Sequence, residues 1–184
     1  MEQPVPEIPE ETLKMDLGNL LNTPEFSDVV FLVENSKIFA HKNILSVRSE
    51  YFRSIFRSTM IESTSGEIKI SEFSYKSVYE LLRYLYTGEL NVGPEIALEV
   101  MKLSERYLLN RPKILCEMIV MEAIDFENAC DLLMEADRYG CEKLKKFCIE
   151  FVVKNDKEVV NTETFLSLPK EIMVQIMKAI SSRP

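Results

Sequence analysis

Asp28-Val-Val-Phe-Leu-Val-Glu34, then Asn35-Ser36, then Lys37-Ile-Phe-Ala-His41 is the stretch whose reading decides the fold. A β-branched, apolar run, a two-residue polar connection and a second short apolar run form the pattern of two antiparallel strands joined by a tight turn. On the N-terminal side, Leu13, Leu17, Leu20 and Leu21 fall on one face of a short helix that Pro24 must end. Before it, Pro4, Pro6 and Pro9 sit among acidic residues, and residues 1–11 are expected to form a loose tail, since they bury too little to offset their ordering entropy. On the C-terminal side, one helix is expected from about Asn43 to Arg57, its buried face set by Ile44/Leu45, Val47/Arg48, Tyr51/Phe52 and Ile55/Phe56. A polar turn, Ser63-Thr64-Ser65-Gly66, then leads into a further short strand, Glu67-Ile-Lys-Ile70.

Beyond that strand every segment reads as helix. Val78, Leu81, Leu82 and Leu85 form one apolar face, Ile96, Val100, Leu103 and Tyr107 another, and Ile114, Met118 and Met121 a third, with Pro112 suited to a first helical turn. An internal echo follows: Ala97, Arg106, Tyr107, Lys113, Cys116 and Val120 recur 32 residues later as Ala129, Arg138, Tyr139, Lys145, Cys148 and Val152. Such an echo predicts two similar helical hairpins stacked on each other. In the second, Ala129, Leu132, Leu133 and Ala136 set the first helix, and Leu144, Phe147, Cys148, Phe151 and Val152 the other. A last helix opens at Pro169 and carries Ile172, Met173, Ile176, Met177 and Ile180.

Composition bounds the function. The 184 residues are 46% hydrophobic and 28% charged, the make-up of an ordinary globular domain or a domain with a short appendage. Thirty acidic residues against 22 basic give a net charge of -8, which opposes the phosphate neutralisation that nucleic-acid binding needs. No apolar run approaches the roughly 20 residues required to cross a bilayer. The expected setting is intracellular, cytoplasmic or nuclear. Cys116, Cys130, Cys141 and Cys148 match no zinc spacing and are expected as buried reduced thiols, so neither metal nor cofactor is expected. His41 is the single histidine, which leaves few routes to an enzyme. Asp28 and His41 invite a catalytic dyad, but a strand-edge carboxylate and a partly buried imidazole bonded to nearby backbone or to each other is the favoured reading.

Phe26-Ser-Asp-Val-Val-Phe31, Ile38-Phe-Ala-His-Lys42, Leu45, Tyr51-Phe52, Phe56 and Leu85-Tyr86-Thr87-Gly88 resemble, in order and spacing, the BTB/POZ domain family. The tail from about Asp125, with Ala129, Leu132, Leu133, Ala136-Asp-Arg-Tyr139, Leu144 and Cys148, is similar to the 3-box and start of BACK that follow the BTB fold in cullin-binding adaptors of the speckle-type group. The resemblance implies an α+β fold, a small sheet flanked by helical hairpins over residues 12–124, followed by an all-helical extension over 125–184. It also implies a homodimer through the first helix, with Leu13, Leu17, Leu20 and Leu21 at the interface, and service as a non-enzymatic adaptor in cullin-3 ubiquitin ligases.

In cullin-binding members the segment after the middle helix carries a hydrophobic residue, any residue, then glutamate, and Met60-Ile61-Glu62 fits this pattern. A flexible apolar side chain beside a carboxylate, between a buried turn and a polar one, suits a partner anchor. Tyr107 stands as a third cullin-facing candidate, with a packed ring and a wet hydroxyl as its alternative. The chain shows no MATH, kelch, zinc-finger or ankyrin segment, with which family adaptors choose a client or DNA site, so the client stays open. A dimerisation or corepressor-recruiting module of a transcriptional regulator is the competing reading. The helical extension, which follows without a linker, favours the adaptor.

Overall fold

The computed structural model describes residues 10–57 and 66–181. The tail through residue 9, the Met60-Ile61-Glu62 motif and the Ser63-Thr64-Ser65 turn lie outside the described residues. Two compact units divide the chain, Met1–Leu90 and Asn91–Pro184.

The first unit opens with α1 (Leu13–Leu20), whose chain reverses at Leu21 and Asn22 before Pro24. Strands β1 (Val29–Val33) and β2 (Ser36–Ala40) pair antiparallel, Val33 opposite Ser36 and Val29 opposite Ala40. The turn between them is Glu34-Asn35, one residue earlier than the Asn35-Ser36 connection expected, and both residues take positive φ, 49° and 64°. Two consecutive left-handed residues make a turn whose twist matches that of the flanking strands. Strand β3 (Glu67–Ile70) lies parallel to β1, so the three-stranded sheet has the order β2-β1-β3. Gly66 enters β3 at φ +67°, and a Cβ there would stand 3.3 Å from the Asp28 carbonyl, so a side chain would meet both strain and crowding.

The expected single helix over 43–57 is two, α2 (Lys42–Arg48) and α3 (Glu50–Arg57). Buried Ser49 is extended between them, and its hydroxyl accepts the Phe52 N–H at 3.3 Å, so a local side-chain bond restarts the helix where the apolar spacing alone reads continuous. Helix α4 (Tyr75–Thr87) begins at the Ser74 cap, which accepts from Ser77 N–H, and stops at Gly88, left-handed at φ 75°. Phe31, Ile38, Leu45, Phe52, Leu81, Leu82 and Leu85 form the core, with the Phe31 ring edge-on to Phe52 at 5.9 Å.

The second unit is helical in its described residues: α5 (Pro94–Arg106), α6 (Asn110–Glu122), α7 (Ala129–Arg138), α8 (Glu142–Lys154), the short α9 (Asp156–Val159) and α10 (Glu163–Leu166), and α11 (Lys170–Ser181). Helices α5 and α6 form one hairpin, α7 and α8 the next, and α6 packs on α8. The echo is borne by buried positions: Ala97 and Ala129, Cys116 and Cys148, Val120 and Val152 are all interior. The face of α6 differs from the one expected. Pro112, Cys116, Glu117 and Val120 are buried on the side that meets α5 and α8, while Ile114 and Met118 point outward. In α11, Ile172 and Ile176 are buried and Met177 and Ile180 exposed. Among the described residues, no helix is long and apolar enough to cross a membrane.

Candidate protein-interaction site

The α1 helix leans on α4 through Gly18, where a Cβ would stand 3.2 Å from the Thr87 methyl, and Lys14 forms an ion pair with Glu89. This docking divides the four leucines. Leu21 is interior at 5% exposure, Leu17 and Leu20 are half-buried, and Leu13 is 61% exposed. Leu21 therefore belongs to the core of its own unit, and the outward apolar surface of the helix is Leu13, Met15 and the open side of Leu17.

Leu17 forms one wall of a groove of about 300 Å³ whose other lining residues are Asn43, Ile44, Val47, Arg48, Leu85 and Tyr86. Val47, expected on the buried face of its helix, is 75% exposed. Val47 lies two residues from buried Leu45, about 200° around the helix, so the packing of Leu45 into the core leaves Val47 facing out. Ile44 and Val47 are two groove residues that the sequence reading places on the buried face, whereas Ile44 is half-buried and Val47 exposed.

Beneath the groove, Tyr86 and His41 are tied together. The Tyr86 hydroxyl accepts the His41 N–H at 2.8 Å and meets His41 Nδ1 at 2.9 Å, both residues being buried. Burial pushes the Tyr86 phenol up to about 12, with the Asp28 carboxylate adding to the shift and the His41 N–H opposing it. Asp28 instead accepts the Lys42 N–H at 2.7 Å, satisfying a free donor at the start of α2. The two residues that invite a dyad thus each bond a partner that builds the fold.

In the second unit, Tyr107 closes α5 as its C-cap and is 4% exposed. Its neighbour Leu108 holds φ 55° and is 74% exposed. A left-handed leucine costs about 1 kcal/mol or more, and the echo position 32 residues on is Gly140 at φ 61°, which adopts the same backbone without that cost. Leu108 rims a cavity of about 290 Å³ lined by Ser104, Glu105, Leu109, Asn110 and Lys113. The buried tyrosine supports the turn, and the exposed leucine on it carries no signal in sequence periodicity, which reads Tyr107 as the end of an apolar face and Leu108 as nothing. Of the other candidate contacts, Met60 and Glu62 lie outside the described residues.

All four cysteines are buried free thiols. Burial raises Cys116, Cys141 and Cys148 to about 12 and Cys130 to about 11, so none is a thiolate nucleophile at neutral pH. Among the described residues, no group of three or more His, Cys, Asp or Glu side chains is arranged to hold a metal ion.

Residues 17–124 match the family model of the BTB/POZ domain, and residues 128–177 that of the BPM/SPOP BACK domain. Among solved structures, the chain is similar to the BTB domain of zebrafish PATZ1, with 26% identity, a TM-score of 0.50, and coverage of 65% of this chain and 99% of that one. It is also similar to the BTB domain of human Gigaxonin, with 19% identity, a TM-score of 0.47, and coverage of 62% and 97%. With more than half its length in the first match and the second following directly, the chain belongs to the BTB/POZ domain family, in the speckle-type arrangement of a BTB domain followed by a BACK domain.

Proposed function

We propose that the protein is a homodimeric, non-enzymatic adaptor that binds the cullin-3 N-terminal domain and brings a client protein to a ubiquitin ligase, with residues 12–124 as the BTB/POZ module and 125–184 as its helical extension. The observation that carries this reading is the pair of apolar surfaces left open on the chain. One is the face of α1 and α2 with Leu13, Leu17, Ile44 and Val47, and the other is the strained, exposed Leu108 on its turn. A contiguous exposed apolar face is the kind of surface through which proteins associate, and backbone strain is concentrated at functional sites. The first suits a two-fold contact with a second copy, in which the same apolar patch on both chains would meet itself. Leu20 sits at the edge of this face, and Leu21 anchors the helix that bears it. The second suits the cullin, with Met60 and Glu62 as further contacts and Tyr107 acting from below by holding the Leu108 turn.

The BACK match over residues 128–177 favours the adaptor over a dimerisation module that recruits corepressors. The experiment is light scattering on the purified chain with and without the cullin-3 N-terminal domain. A dimer that takes up the cullin domain supports the adaptor, a dimer that does not supports the competing module, and a monomer removes the two-fold contact from the account.

A further inference from the structure

Lys113, in the first turn of α6, shares its ammonium three ways: with Glu105 Oε2 at 2.6 Å, the Tyr139 carbonyl at 3.0 Å and the Gly140 carbonyl at 3.4 Å. An ammonium carries three N–H donors and no acceptor, so these contacts use it fully. One acceptor stands in the last turn of α5, three residues before Leu108, and the other two form the turn of the second hairpin. A single charge thus ties together the two turns that the 32-residue echo relates.

The echo supplies an internal control. Lys145 reproduces the ion pair, with Asp137 at 2.5 Å, but among the described residues it makes no bond to the carbonyls of a following turn. The ion pair is therefore a feature of each hairpin, and the carbonyl bonds are the feature that joins one hairpin to the next. Lys102, from α5, strengthens the same junction: it pairs with Glu135 and lies 5.6 Å from the centre of the Tyr139 ring. Burial lowers the Lys113 pKa, but the bond to Glu105 and the nearby Glu117 carboxylate more than offset this and hold it above the ordinary lysine value, so the clamp is charged at neutral pH.

We infer that Lys113 is a positioning residue, which through Glu105 and the Tyr139 and Gly140 carbonyls fixes the Leu108 turn in the shape that meets the protein partner. Leu108 holds an unfavourable φ, and a strained residue persists only where its surroundings over-determine it. Glu105, pinned by Lys113, and the Leu109 N–H, which donates to the Ser104 carbonyl at 2.7 Å, are those surroundings. The partner named here rests on the adaptor reading; the clamp's effect on the turn does not.

The test has two arms. In the first, affinity for the cullin-3 N-terminal domain is measured for Lys113→Met, Leu108→Ala and the double variant. Each single change is expected to weaken binding about tenfold, and the double to be within about twofold of the weaker single, because both act through one turn. Losses that multiply, or a Lys113→Met variant that binds as the parent does, overturn the inference. In the second arm, without any partner, amide exchange at Leu108 and Leu109 is expected to quicken at least about tenfold in Lys113→Met while the amides of β1 and β2 keep their protection. Unchanged exchange at the turn overturns the inference. Should Lys113→Met not fold, Glu105→Ala removes one leg of the clamp and must shift both readouts the same way. If the parent does not bind the cullin domain, the adaptor reading fails, and the exchange arm alone decides the role of Lys113.

Discussion

The hydroxyl of Tyr86 accepts the backbone N–H of His41 at 2.8 Å inside the first unit, joining the strand that leads into α2 to the last turn of α4. Among the described residues this hydroxyl is the acceptor of that buried N–H, and its loss leaves the donor unsatisfied. Tyr86→Phe keeps the ring and removes the acceptor, so it is expected to cost about 1–3 kcal/mol. Urea unfolding followed by circular dichroism measures it; an unchanged midpoint would show that the bond contributes nothing net.

Alkali should destabilise the chain in a defined window. The folded state holds Cys116, Cys141 and Cys148 at about 12, Cys130 at about 11 and Tyr86 at about 12, each above its ordinary value of 9.0 or 10.0. Raised values mean that folding favours the neutral form, so the unfolded chain loses these protons first. Stability from these groups is fully present below about pH 9 and declines as the pH rises toward 11 to 12. A melting temperature that is flat from pH 7 to 9 and falls above it is expected, with the four thiols slow to react with a disulfide reagent until denaturant is added. Fast reaction of any thiol at pH 8 would contradict their burial.

Two substitutions on the first unit should part company. Val47→Asp adds a charge at a position 75% exposed, so its cost to the single chain is within about 0.5 kcal/mol, while the two-fold contact should be lost. Leu21→Asp places an unpaired carboxylate in the interior and should unfold the unit. Light scattering and circular dichroism on both variants separate the outcomes. A folded dimer from Val47→Asp would remove α2 from the interface.

The sequence motif between α3 and β3 has its own check. Met60→Ala with Glu62→Ala is expected to weaken cullin-3 binding at least about tenfold while the melting temperature and the dimer are kept. Unfolding of the double variant would make Met60 a core residue. Parental affinity would move the contact elsewhere, with the Leu108 turn next in line.

The fold was legible where short-range chemistry and periodicity agree. The Asp28–His41 hairpin, the strand at Glu67–Ile70 and the echo of two helical hairpins could be read because alternation, turn residues and repeat spacing are local properties. The parallel pairing of β3 with β1 was not, since register between distant strands leaves no periodic mark. The break at Ser49 was hidden for a related reason: one hydroxyl capping Phe52 interrupts a helix without disturbing the apolar pattern around it. Val47 lies on the opposite side of α2 from Leu45 and lines the groove, so half of the candidate dimer face reads as core in the sequence. The opposite error occurred at Leu21, where one helical face proved to serve two purposes, part roofing its own unit and part left open. Tyr107 is a similar case. Its spacing marks an important turn, but burial gives the exposed role to Leu108, whose left-handed backbone no sequence pattern announces.

Size-exclusion chromatography with light scattering on an equimolar mixture with the cullin-3 N-terminal domain tests dimerisation and cullin binding at once. The chain alone is expected to elute at twice its own mass, and the mixture to form one species containing two chains and two cullin domains. A chain that runs as a folded monomer and elutes apart from the cullin domain would contradict both.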